Sequence, residues 1–160
     1  GTTTKGTGGV DSYSYFHRRL TEEIERAGRL NERMSLLLVG GDSTGRAPAN
    51  EEFFGEVLSR VKGMMRGIDV VGRYGGSQVI LYLPETAGEA AQKAAERIRG
   101  RVERMGEDNG TGTTVSIGLV TLPENGETVE QLMNALTSAL FKAQQAGGNR
   151  ASGPAEMYVL

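Results

Sequence analysis

The side chains most able to do chemistry are scarce in this sequence. There is one histidine, His17, and no cysteine. A Ser-His-Asp triad would need His17 as its base, and a histidine-based metal site has few options. Disulfide staples, thiolate zinc sites and cysteine nucleophiles are excluded outright. What remains is carboxylate, guanidinium, ammonium and amide chemistry. Lys and Arg number 18 against 20 Asp and Glu, a net charge of -2. That balance gives no global support to a nucleic-acid binder, whose affinity rests on neutralising phosphates. Gly40 to Arg46, GGDSTGR, follows an apolar run as a phosphate-cradling loop would. It lacks the Lys-Ser/Thr pair of such loops and reads as an ordinary glycine-rich turn. His17 reads as a surface or boundary histidine and Met64-Met65 as core filler. The charged run from Glu22 to Arg33 reads as a solvated helix face.

The elements that must position these groups fit into one domain. The chain has 160 residues, 38% hydrophobic and 24% charged, which suits an ordinary globular fold with its own core. No apolar run is long enough to span a bilayer, and there is no signal-peptide pattern. With no cysteine, a reducing, cytoplasmic setting is expected. Residues 1–10 are expected to be disordered or a cloning remnant, because GTTTKGTGG carries no apolar residue. Residues 11–160 are expected to form the domain, itself one part of a longer multidomain protein.

Phe16, Leu20, Ile24 and Ala27 give the first helical stripe, with Gly28 able to close it. Met34 to Val39 is strand-like, and Gly40 to Asn50 is a loop. Phe53, Phe54, Val57, Leu58, Val61 and Met65 predict a second helix ending near Gly67. Val70 to Tyr74, Gly75-Gly76 and Val79 to Leu83 read as a β-hairpin. Thr86 and Glu89 have capping-box spacing before a helix with Ala91, Ala94, Ala95, Ile98 and Val102 inward. Thr113 to Leu122 is the clearest strand. Thr128 and Gln131 form a second capping box, before a helix that Gly147-Gly148 stops. Met157 to Leu160 is expected to be a last short strand. Helices alternating with strands around a central hairpin predict an α/β fold (an α+β sandwich) with a mixed sheet flanked by helices.

Asp69 to Leu83, DVVGRYGGSQVILYL, resembles the signature hairpin of diguanylate cyclase (GGDEF-family) domains. AERIR at Ala95 to Arg99, TVSIGLVTLP at Thr114 to Pro123 and ALFKAQQAGGNR at Ala139 to Arg150 match the same family in order and spacing. The resemblance spans roughly residues 11 to 150 and implies a palm-polymerase, ferredoxin-like fold with a five-stranded sheet.

Family members that are active condense two GTP molecules into cyclic di-GMP with divalent metals, which need carboxylates at set points. The two acidic residues that follow Gly-Gly in the family are Ser77 and Gln78 here, and the aromatic after them is Val79. The family's Asp-x-Asp at the end of the first strand is Gly40-Gly41-Asp42. The following loop lacks the Phe-Lys and Asn-Asp elements that shape the guanine site. Glu51 stands where a guanine-reading carboxylate does. The family's Lys and Arg for the triphosphate are Gln144 and Gly148. These differences lead to the expectation of a degenerate domain that is not an enzyme, with no catalytic residue, no metal ligand, no cofactor and no Mg²⁺.

The family's inhibitory product site, Arg-x-x-Asp five residues before Gly-Gly, is matched by Arg66 and Asp69, and its further arginine by Arg97. A guanidinium fork matches guanine O6 and N7, and a carboxylate accepts from N1 and N2. The competing reading of Arg97 is a plain solvated charge beside Arg99 and Arg101. The resemblance therefore implies a cyclic di-GMP receptor in bacterial second-messenger signalling, binding through Arg66, Asp69 and Arg97. Expected partners are cyclic di-GMP, attached domains or a protein, and a second copy bridged by ligand, with no nucleic acid and no membrane segment. The alternatives are a ligand-free dimerisation scaffold and GTP binding without turnover.

Overall fold

The computed structural model describes residues 13–42, 51–64, 70–74 and 78–154. Four helices are described: α1 (Tyr13–Leu30), α2 (Glu51–Met64), α3 (Gly88–Asp108) and α4 (Val129–Gln145). Five strands, β1 (Met34–Gly41), β2 (Val70–Arg73), β3 (Gln78–Pro84), β4 (Val115–Leu122) and β5 (Ala151–Ser152), form one sheet in the order β2-β3-β1-β4-β5. β1 lies at the centre, antiparallel to β3 and β4. β5 joins β4 in parallel, which makes the sheet mixed.

The alternation of side chains along a strand divides the core in two. Leu37 and Val39 of β1, with Val79, Leu81 and Leu83 of β3, pack under α2 and α3. Leu36 and Leu38, with Ile80 and Tyr82, pack under α1 and α4. The apolar stripes read from the sequence fill these layers: Phe16, Leu20, Ile24 and Ala27 are all buried, as are Ala91, Ala95, Ile98 and Val102. Burial on both faces explains why β1 and β4 read as continuous apolar runs instead of alternating ones. The predicted α+β sandwich with a five-stranded mixed sheet is the fold observed.

The structure corrects several boundaries. The last described strand is Ala151–Ser152, whereas the predicted strand Met157 to Leu160 lies outside the described residues. β5 is short and carries little local signal; it exists because the backbone N–H of Ile117 donates to Arg150 O at 2.9 Å and sets the pairing. α1 runs past Gly28 to Leu30, and Asn31 supplies the left-handed φ of 59° that ends it. The Thr86–Glu89 box does not form. Thr86 Oγ1 donates to Pro84 O at 2.7 Å, and the N-cap of α3 is Ala87 without a side-chain cap. The turn out of β3 takes the hydroxyl before the helix can use it. The second box forms in part: Thr128 Oγ1 accepts from Gln131 N, while Gln131 Oε1 accepts from the N–H of Glu127 at 2.9 Å, one residue before the N-cap.

Candidate functional site

Two places collect the residues singled out from the sequence. The first lies between α2 and α3. Met64, Leu83, Thr86, Ala90, Lys93, Ala94 and Arg97 line a cavity of about 300 Å³. Lys93 and Arg97 are four apart on α3 and therefore share a face. Both are exposed, which leaves their charges available. Their apolar neighbours Leu83 and Ala94 give the cavity a floor. Arg66 and Asp69 lie outside the described residues; in the sequence they fall between Met64 of α2 and Val70 of β2.

The second place is the edge where β1 ends. Gly40 sits opposite Gln78 on β3 and Ser116 on β4. A Cβ on Gly40 would lie 3.0 Å from Leu140 Cδ2 and 3.4 Å from Gln144 Nε2, so α4 closes directly over this glycine. Tertiary pairing thus brings together Gly40, Gln78 and Gln144, three of the positions at which the sequence differs from the family motif.

Asp42 is 6% exposed, yet no cation neutralises it among the described residues. Its carboxylate is held by donors instead. Thr114 Oγ1 donates to Oδ2 at 2.6 Å, Ser116 Oγ to Oδ1 at 2.7 Å, and the backbone N–H of Asn149 to Oδ2 at 2.8 Å. Gly148, at φ 76°, passes so close that a Cβ would stand 2.9 Å from Asp42 Cγ. Asn149 then reaches outward: its Nδ2 donates to Glu103 Oε2 and its Oδ1 accepts from Arg99 Nη1, both at 2.8 Å. Hydrogen bonds from Asn149 and Arg99 hold the Glu103 carboxyl below the ordinary glutamate range. Partial burial opposes the charge on Arg99, but bonds to Glu96 and Glu103 outweigh it and raise its pKa.

This network is invisible to sequence reasoning, which takes Arg99 as one of several solvated charges. Its signals are a carboxylate placed just past a buried strand, a Thr-x-Ser alternation leading into β4, and an Asn after Gly-Gly.

Among the described residues, this edge offers few ligands to a divalent metal. Gly40 offers no side chain, Gln78 is neutral, and both oxygens of Asp42 are engaged. Among the described residues no three His, Cys, Asp or Glu side chains gather as a metal cluster. The described residues at this edge do not by themselves fit the divalent metal that the family's chemistry uses.

The remaining candidates occupy other surfaces. His17 is exposed and lines a groove between α1 and α4 of about 560 Å³. Met64 belongs to the Arg97 cavity, and Met65 lies outside the described residues. No helix among the described residues is long and apolar enough to cross a membrane.

Residues 7–150 match the family model described as "Diguanylate cyclase, GGDEF domain". Diguanylate cyclase A of Treponema denticola is 31% identical over 149 residues, covering 85% of this chain and 40% of that protein. The response regulator PleD of Caulobacter vibrioides is 28% identical over 158 residues, covering 92% of this chain and 35% of its own. Among solved structures, the GGDEF domain of DgcB from Caulobacter crescentus in complex with c-di-GMP superposes with a TM-score of 0.73 at 21% identity, covering 95% of each chain. Diguanylate cyclase SiaD of Pseudomonas aeruginosa, solved with its activator SiaC, gives a TM-score of 0.76 at 26% identity over 89% of this chain and 58% of that one. The chain thus spans well under half the length of these curated relatives. One expectation is overturned: relatives such as the Treponema denticola protein are named diguanylate cyclases, so the substituted motif positions do not make this chain a non-enzyme.

Proposed function

The chain belongs to the GGDEF domain family of diguanylate cyclases, and from that membership we propose that it handles cyclic di-GMP and binds it through Arg66, Asp69 and Arg97. The observation that supports this reading is the cavity where Lys93 and Arg97 stand on one face of α3 over Leu83 and Ala94, beside the end of α2. Cationic groups above an apolar floor suit a ligand with guanine faces and phosphates. In this reading Asp69 selects guanine, since N1–H and N2–H both need an acceptor. The binding would transmit a signal to attached domains, to a protein partner or to a second copy bridged by ligand. Its effect on such an equilibrium is bounded by the differential affinity of the ligand for the two states.

Calorimetric titration of cyclic di-GMP tests this, with Arg66→Ala alongside. Binding at micromolar concentrations that Arg66→Ala abolishes supports the reading. Absence of heat at high protein concentration overturns it. GTP with Mg²⁺ is run in parallel, and the appearance of cyclic di-GMP measures the activity in the relatives' names.

A further inference from the structure

We propose that a second cleft between α2 and α3, distinct from the Arg97 cavity, is a binding site for a small phosphate-type oxyanion. Arg60, Arg101 and Arg104 line it, together with Glu56, Met105, Asp108 and Asn109, around about 250 Å³. It shares no lining residue with the Arg97 cavity.

Three features carry the assignment. The first is charge: three guanidiniums face two carboxylates, Glu56 and Asp108, which leaves one positive charge in excess. The second is an unmet donor. Arg101 Nε is buried and has no hydrogen-bond partner among the described residues. Buried N–H groups are nearly always satisfied, because leaving one unmade is costly. Arg99, two residues away, shows the contrast: both Glu96 and Glu103 hold it. The third is size and shape. Arg101 and Arg104 are three apart on α3, so they project from one face, and Arg60 meets them from α2. Guanidinium forks from two helices match phosphate oxygens bidentately. At about 250 Å³ the cleft has room for a small anion held by several guanidinium groups at once.

Arginine Nε–Hε resonances of ¹⁵N-labelled chain, titrated with sodium pyrophosphate without Mg²⁺, report on the site directly. The Arg101 signal should shift and saturate below about 10 mM, where even a millimolar site fills. Backbone amide shifts follow the same titration in variants. Arg101→Gln and Arg60→Gln should each weaken binding about tenfold, while Arg18→Gln, on α1 across the sheet, should leave it unchanged. Two variants are used so that misfolding of one does not remove the test. A non-saturating response overturns the proposal, as does the same response in Arg101→Gln and Arg18→Gln. GTP is titrated separately: a shift with GTP and none with pyrophosphate overturns the small-anion assignment. Loss of cyclic di-GMP binding in Arg66→Ala has no bearing on this cleft.

Discussion

The backbone N–H of Asn149 donates to Oδ2 of Asp42 at 2.8 Å across 107 residues of sequence. This bond ties the turn after α4 to the end of β1, and Thr114 and Ser116 tie the same carboxylate to β4. Asn149 spends its side chain on Glu103 and Arg99 of α3. One buried anion thus fastens elements from both faces of the sheet.

Asp42→Ala should therefore cost about 3 kcal/mol, since it strands three donors that the fold has removed from water. Asp42→Asn keeps the volume but turns one acceptor into a donor, facing either a hydroxyl or the Asn149 N–H. It should lose stability too, though less. Urea midpoints at neutral pH check both, and wild-type values for Asp42→Ala would show that the network carries no stability.

Gly118 is where α4 rests on the sheet. A Cβ there would lie 2.6 Å from Leu140 N and 2.8 Å from Leu136 O. Backbone cannot yield as a flexible side chain can, so Gly118→Ala should destabilise by about 2 kcal/mol or more. At Gly28, within α1, an added Cβ would meet nothing within 4 Å, and Gly28→Ala should be neutral or stabilising by up to about 1 kcal/mol. Thermal unfolding of the two variants side by side should show a clear loss for Gly118→Ala and none for Gly28→Ala; equal shifts would refute the packing argument.

Glu103 makes a pH prediction. Bonds from Asn149 and Arg99 lower its pKa in the folded chain, so the unfolded chain binds more protons as the pH falls. Its contribution is complete above the ordinary glutamate range and drains away as pH drops through the lower, folded value. Glu103→Gln should be less stable than wild type at neutral pH, and the gap should close in acid. Urea midpoints across this range decide; a gap that stays constant would mean the carboxylate charge is irrelevant.

At the proposed cyclic di-GMP site, Arg97→Ala should weaken binding about tenfold or more, the loss expected for a charged fork. Lys93→Ala should cost less, about two- to threefold, as suits an exposed point charge. Neither should change the melting temperature, because both side chains are exposed. Calorimetry with melting curves separates the two effects.

The sequence by itself determined the helix stripes, the hairpin, the central strands and the family, because each rests on local periodicity or on a run of adjacent residues. Phe16, Leu20, Ile24 and Ala27 recur at the helical period, and that period is also the buried face. The Thr128 cap was legible for the same reason, since its partner lies three residues on. Only the tertiary structure decided where β5 pairs, that Thr86 turns back to Pro84, and that Asp42 meets Asn149. It alone separated Arg99, bound on both sides, from Arg101, whose Nε is left over. Those outcomes depend on which of several competing donors and acceptors the finished fold places beside a given polar atom, and residue spacing alone does not encode that.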